Sequence, residues 1–269
     1  MITAKKFQKI VFDYFRNHGR RLPWRETIDS YAIFVSEVML QQTQVDRVVS
    51  KYQAWLKKFP TWRSLAKASA GEVLRMWQGL GYNRRALNLR RAAERIMQEY
   101  GGELSDDVEL LKKLPGVGPY TAGAVLAFAF NKPVPIIETN IRRVYIHHFF
   151  PEKKKVSDSE ILKLVTSHLP LITSPRTWYY ALMDYGSHMS KIVSNPNRKS
   201  KHYAKQLKFK GSRRQIRGAI LRLLAQNGST TKQKIKTEFN GTSHNIEEIL
   251  KELETEGFLR IKKSKIIIQ

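Results

Sequence analysis

The sequence predicts a mainly α-helical protein: a bundle of roughly ten short helices followed by a small module of three helices and a β-hairpin. Three observations carry this. Apolar residues recur at helical spacing in one segment after another up to about residue 190. Almost nothing in that span alternates as a strand does. The ending FLRIKKSKIIIQ does alternate, and it follows three short helical segments. With 269 residues and 42% apolar side chains, the chain can build one large domain or two smaller ones around a real core.

Taken in order, Ile10, Val11, Tyr14 and Phe15 give a helix over Phe7–Asn17, stopped by Gly19. Arg20-Arg21-Leu22-Pro23-Trp24-Arg25 reads as an extended, basic, aromatic segment. Asp29 or Ser30 caps a helix from Tyr31 to about Gln42, with Ile33, Phe34, Met39 and Leu40 inward and Glu37 among them. Thr43–Phe59 is helical and closed by Pro60; a short helix from Thr61 and another over Ala70–Trp77 lead to the turn Gly79-Leu80-Gly81-Tyr82. Arg84–Tyr100 is a basic helix ended by Gly101-Gly102, and Asp106–Lys113 feeds Leu114-Pro115-Gly116-Val117-Gly118. Pro115 stops that helix, and the two glycines allow a tight hairpin that a β-carbon would obstruct. Pro119 suits the first turn of the next helix, Thr121–Phe130, where Ala122, Gly123, Ala124 and Ala127 permit close packing. Helices over Ile141–Phe149, Ser157–Ser167 and Thr177–Tyr185 complete a domain spanning residues 1–190.

Residues 191–210 hold Lys191, Arg198, Lys199, Lys201, Lys205, Lys208 and Lys210 and no acid. Such a basic linker either lies along a phosphate backbone or is a disordered tether. Residues 211–269 form a separate unit: a helix over Arg213–Gln226, a second over Thr230–Phe239, and a third from Ser243 or His244 to about Glu256. Two strands follow around Lys263-Ser264-Lys265. This is the winged helix-turn-helix pattern, usually a DNA-binding module although some copies serve protein contacts.

The formal net charge of +25 calls for a polyanionic partner, nucleic acid ahead of membrane. No apolar run is long enough to span a bilayer, and MITAKKFQKI lacks the pattern of a secretory signal, so a cytoplasmic or nucleoid-associated protein is expected. Cysteine is absent, which removes disulfides, thiolate catalysis, thiolate-held zinc and iron–sulfur clusters. The seven histidines form no HxxxH or HExxH pair, so no metal site is expected. Backbone N–H groups freed by Gly116 and Gly118 at a helix N-terminus form an anion site, which in so basic a chain points to a nucleic-acid phosphate.

Two carboxyls stand in contrasting settings. Glu37 has apolar neighbours, and burial there would raise its pKa and make it an acid near neutral pH; the alternative is a glutamate on the polar side of an amphipathic helix. Glu138 follows the apolar run Val134-Pro135-Ile136-Ile137 and precedes Asn140, where it either stabilises a cation or serves as a helix N-terminal acid. Hydrolysis through an oxocarbenium-like state uses two such carboxyls, one to protonate the leaving group and one to stabilise the sugar cation or direct water. Cleaving a base from deoxyribose is that reaction. It requires the base to be extruded and the gap filled, for which Gln41-Gln42 and Tyr82 are available.

The segment Ser36-Glu37-Val38-Met39-Leu40-Gln41-Gln42-Thr43-Gln44, with Leu22-Pro23-Trp24-Arg25, Gly79-Leu80-Gly81-Tyr82 and the hairpin, resembles the A/G-mismatch adenine DNA glycosylases of the helix-hairpin-helix superfamily over residues 5–190. The resemblance implies that Glu37 protonates the departing purine. Tyr120 matches the position of a Schiff-base lysine in relatives with a lyase step, implying a monofunctional enzyme that uses water. Asn140 matches an asparagine supporting the active site, and Gln42 and Tyr82 match residues that enter the base stack. Leu114, Gly116, Val117 and Gly118 match the phosphate-binding hairpin, where relatives often hold a monovalent cation on the backbone. Arg25, Gln41, Lys199 and Lys201 join them as expected DNA contacts, the partner being duplex DNA with a mismatch or lesion, bound by a monomer.

Three departures stand out. Glu138 replaces the family's aspartate, and a carboxylate displaced by about an ångström can lose about a hundredfold in rate. Ser190, Asn197 and Ser200 occupy early positions of the family's iron–sulfur ligands, so no cluster is expected. The winged pattern stands where the family inspects 8-oxoguanine. That leaves two further readings: a thymine or uracil glycosylase acting opposite guanine, or a DNA-binding protein without catalysis.

Overall fold

Thr3 accepts a hydrogen bond from the Lys6 N–H and so starts α1 (Ala4–His18), which buries Phe7 and Val11. The computed structural model describes residues 2–204 and 208–269. After α1 come α2 (Ser30–Leu40), α3 (Val45–Lys58), α4 (Trp62–Ala66), α5 (Ala70–Trp77), α6 (Arg84–Glu99), α7 (Val108–Lys112) and α8 (Pro119–Phe130). Then follow α9 (Thr139–Phe149), α10 (Asp158–His168) and α11 (Pro175–Ile192). The last part comprises α12 (Arg213–Asn227), β1 (Ser229–Thr231), α13 (Lys232–Glu238), α14 (Ile246–Thr255), β2 (Leu259–Lys262) and β3 (Lys265–Ile268). The protein is mainly helical, with a small sheet near its C-terminal end.

Several local details differ from the sequence reading. Pro23–Arg25 is a 3-10 turn, not an extended segment, because the Arg25 N–H folds back onto the Leu22 carbonyl. α11 runs on to Ile192, beyond Tyr185. β1 escaped notice: three residues between two helices are too few to show alternation. Asn245, rather than Ser243 or His244, caps α14 through the Glu247 and Glu248 N–H groups. The stretch after residue 190 is no loose tether where it is described. Pro196–Lys199 forms a 3-10 turn with Pro196 and Asn197 buried, and Val156 exchanges backbone hydrogen bonds with Lys199 and Lys201. Lys205 lies outside the described residues.

The chain divides into two compact units, the first joining the described residues of Met1–Glu37 with those of Leu104–Lys205. α9 and α11 are its central pair, and α1 and α8 pack on α11. Phe7, fully buried, meets Tyr145, Phe149 and Trp178 edge-on. α9 and α11 approach so closely at Gly186 that a β-carbon there would stand 2.5 Å from the Asn140 carbonyl oxygen.

The second unit joins Val38–Glu103 with the described residues of Gln206–Gln269. Trp55 and Trp77 are fully buried against each other, and α6 packs on α4 and α5. α12 also packs on α5, with Arg75 Nη1 donating to the Ala225 carbonyl at 3.0 Å. The sheet order is β1-β3-β2, all antiparallel, and β1 falls between α12 and α13. That is the winged-helix order. Arg84 pairs with Glu256 at 2.8 Å, and Arg214 donates to the Tyr82 hydroxyl at 3.0 Å, so the winged part is fastened to Val38–Glu103 by side chains as well as by packing.

Candidate active site

α2 is apolar nearly all round, so a glutamate in it is carried into the interior: Glu37 is only 6% exposed. Burial is the main reason its pKa rises from near 4.5 to about 7; the neighbouring charge of Glu138 adds to the rise. The Tyr120 hydroxyl, which donates to Glu37 Oε2 at 3.4 Å, and the Arg25 charge act the other way. Tyr120 sits in the first turn of α8, directly after the hairpin, and burial holds its own pKa above the ordinary phenol range. It remains a hydroxyl.

Glu138 is held quite differently. Tyr179 pins the preceding run by donating to the Val134 carbonyl (2.7 Å) and accepting from the Ile136 N–H (3.3 Å). Gly123 leaves room for Ile136 there; a β-carbon would lie 2.5 Å from it. Glu138 then caps α9, with Oε1 accepting from the Asn140 N–H (2.7 Å) and the Ile141 N–H (2.8 Å), while Oε2 accepts from Asn140 Nδ2 at 3.3 Å. The Glu138 carboxylate thus lies over the N-terminus of α9. Burial raises the Glu138 pKa, opposed by these two N–H groups and by Arg142 and Arg143. Glu37 has no such donors. Burial thus pushes both carboxyls upward, and only Glu138 has backbone N–H groups that oppose the rise by favouring its charged form.

Asn140 is fixed in turn by Arg143, whose Nη1 donates to Asn140 Oδ1 (2.7 Å) and to the Gly186 carbonyl (2.6 Å). The Asn197 side chain donates to the Thr139 carbonyl at 3.0 Å. Ser190 donates to the Ser187 carbonyl and Ser200 accepts from the His202 N–H. With no cysteine in the chain and these three side chains engaged in hydrogen bonds within the protein, the residues present do not fit a thiolate-held iron–sulfur cluster. Among the described residues no group of acidic and histidine side chains could hold a metal ion.

Arg25 is not a DNA contact. Its side chain is 8% exposed and forms a two-pronged ion pair with buried Asp184, both bonds at 2.8 Å, while its guanidinium lies 4.5 Å from the Tyr180 ring centre. Burial alone would push the Asp184 carboxyl up, but Arg25 and Arg20 bring it below its usual range. Nor do the Leu114 and Val117 side chains face a ligand; both are buried, so only their backbones are available. Gly116 has φ 80° after Pro115, with the Val117 N–H returning to the Leu114 carbonyl, a type II turn in which glycine is needed. Gly118 has φ −93°, and a β-carbon there would meet nothing within 4 Å. The protein's own packing does not require that glycine. It leaves the uncapped N-terminus of α8 open to close approach from outside. Lys201 is exposed, whereas Lys199 donates to the Pro151 carbonyl.

In the second unit Gln42 and Tyr82 both take left-handed backbone conformations, φ 54° and 48°, and both are exposed, while Gln41 is half-buried. Arg85 holds both turns. Nη1 donates to the Val38, Met39 and Gln41 carbonyls at 2.8, 3.0 and 2.6 Å, the free carbonyls where α2 ends. Nη2 donates to Thr43 Oγ1 and to the Leu80 and Gly81 carbonyls, each at 3.0 Å. Burial lowers the Arg85 pKa to about 10, so it stays charged. The sequence reading missed Arg85, one cation among several in a basic helix. Asp184 and Arg143 were missed too; an acid after the apolar run Tyr180-Ala181-Leu182-Met183 was the available signal for the first.

Residues 35–167 match the HhH-GPD superfamily of base excision DNA repair proteins. The chain is similar to an adenine DNA glycosylase of Mycolicibacterium smegmatis, 42% identical over 64% of this chain and 59% of that one. It is similar also to an adenine DNA glycosylase of Mycobacterium tuberculosis, 47% identical over 49% of this chain and 43% of that one. The chain spans about half the length of these relatives. A solved structure of a thermostable thymine-DNA glycosylase matches with a TM-score of 0.62 and 26% identity, covering 68% of this chain and 86% of that one. No helix among the described residues is long and apolar enough to cross a membrane.

Proposed function

We propose that the protein is an adenine DNA glycosylase of base excision repair that hydrolyses the N-glycosidic bond of a mispaired adenine turned out of duplex DNA. The observation that carries this is a buried carboxyl pair: Glu37, with a pKa of about 7 and a hydrogen bond from Tyr120, and Glu138, held by helix N–H groups and close enough for its charge to act on Glu37. Glu37 gives its proton to a ring nitrogen of the adenine, the bond from the sugar to the base breaks with its electrons leaving on the base, and positive charge develops on the deoxyribose ring. The Glu138 carboxylate faces that charge, with Oε1 held by the helix cap and Oε2 oriented by Asn140 Nδ2. Water adds to the sugar carbon and gives its proton to the Glu37 carboxylate, which restores the acid. Tyr120, a hydroxyl where a lyase would carry an amine, leaves the enzyme monofunctional.

Gly116 and Gly118 bring backbone N–H groups to a phosphate, the hairpin backbone would hold any monovalent cation, and Gln41, Gln42 and Tyr82 occupy the space left by the base. Lys201 contributes a phosphate contact. The domains are a glycosylase domain and a winged module, and the protein works as a monomer in the cytoplasm at the nucleoid. A second reading, removal of thymine opposite guanine, is favoured by the likeness to the thymine-DNA glycosylase. Single-turnover base release from duplexes carrying A, T, U or hypoxanthine opposite G or 8-oxoguanine decides between them. Adenine release is expected; release of thymine or uracil with adenine untouched would sink the adenine reading.

A further inference from the structure

In a winged helix-turn-helix the helix that enters the major groove is the one preceding the wing. Here that helix is α14, IEEILKELET, with four glutamates against one lysine. Its acids are already engaged. Glu248 and Glu252 pair with Arg213, Glu252 and Glu256 with Arg217, and Glu247 with Lys236, while Glu254 accepts from the Ile261 N–H. A negatively charged helix tied down in this way repels a phosphate-lined groove.

The opposite charge collects at one end of the sheet. Lys262 stands directly across from Lys265, with Lys263-Ser264 as the two-residue loop between them. Lys265 also faces Thr231, and the Lys232 N–H donates to the Ser264 carbonyl at 3.1 Å, which brings the start of α13 to the same tip. All four lysines are exposed. Among the described residues Lys262, Lys263 and Lys265 form no ion pair; Lys232 acts on Glu247 only at a distance.

Two features of this tip work against folding. Like charges placed directly across a strand pair repel. Lys263 has φ 53°, at the first central position of a tight hairpin where Gly, Asn or Asp would sit with less strain. Neither feature serves the sheet, and both place ammonium groups together at its edge.

We propose that this tip, formed by Lys232, Lys262, Lys263 and Lys265, is a second duplex-DNA contact that grips the phosphate backbone without reading sequence, and that α14 enters no groove. It rests on the reading above only in taking duplex DNA as the partner.

The test measures affinity of the full chain for a lesion-free duplex against salt concentration. In Lys262→Gln/Lys263→Asn/Lys265→Gln the slope of log affinity against log salt should fall by about 2–3, since each phosphate contact contributes about 0.9, and affinity at low salt should drop about tenfold or more. Lys263→Asn alone should lower the slope by about one while thermal stability holds or rises, which separates lost contact from lost folding. Lys251→Gln, removing the one cation of α14, should leave the slope unchanged. An unchanged slope in the triple variant overturns the proposal. So does an effect of Lys251→Gln as large as the triple's, or tighter wild-type binding to phosphatidylserine vesicles than to duplex at equal salt. If the wild type releases no base at all, the glycosylase reading fails while the slope comparison still stands.

Discussion

A carboxyl group keeps its proton at neutral pH only where water and hydrogen-bond donors are scarce, and Glu37 meets that condition far better than Glu138. Glu37→Gln should abolish base release while DNA binding persists, read by single-turnover kinetics beside a binding titration; equal turnover in both proteins rules Glu37 out as the acid. Because the protonated form is the active one, release should decline about tenfold per pH unit above about 7. The same shift bears on stability. Below pH 4.5 Glu37 is protonated whether folded or not; between about 4.5 and 7 only the unfolded chain ionises it, and stability is lost as pH rises through that window. Glu37→Gln should therefore be stabilising by about 1–3 kcal/mol at pH 8 and nearly neutral at pH 4, measured by denaturant unfolding. At Glu138, aspartate keeps both the cap and the charge and should retain activity, whereas Glu138→Gln keeps the fold and should lower the rate at least tenfold. A glutamine variant as fast as wild type would detach Glu138 from the chemistry.

At the scale of elements, the site depends on helix ends more than on helix faces. Glu138 caps the start of α9 and Arg85 gathers the carbonyls that end α2. Arg85→Met should cost about 2–4 kcal/mol, because a buried cation's donors are lost and several carbonyls are left without partners. The rate for mispaired over paired DNA should fall with it, since Gln42 and Tyr82 lose their common anchor. Unchanged discrimination would show that the two turns hold themselves. Gly186→Ala drives a methyl onto the Asn140 carbonyl, where only backbone movement gives relief. It should destabilise by about 1–3 kcal/mol and slow base release beyond that, by moving Asn140; loss of stability with full activity at low temperature would separate packing from positioning.

For the molecule as a whole, charge is the dominant feature, and its distribution matters more than its sum. Arg20 and Arg25 are spent on Asp184, and Arg213 and Arg217 on the acids along the α14 face, so an excess of +25 overstates what is offered to DNA. Arg214 ties the winged part to Tyr82. In a double-mutant cycle, Arg214→Ala should alter lesion binding in the wild type and have little further effect in Tyr82→Phe; independent effects would show that Arg214 does not act through the Tyr82 hydroxyl.

The helices, the hairpin and the winged part were legible from the sequence because each rests on local rules. Apolar spacing, proline and glycine punctuation and a basic alternating end are short-range signals, and Ala70–Trp77 emerges at its sequence limits. The apolar neighbours of Glu37 left it between a buried acid and a surface glutamate, and only the packing of α2 put it inside. What only tertiary structure decided are the pairings between distant residues. Asp184 claims Arg25 across 159 positions, and Asn197 reaches the Thr139 carbonyl across 58. A cation's role is set by which carboxylate or carbonyl lies within hydrogen-bond reach once the chain has packed. Composition records only that the cation exists.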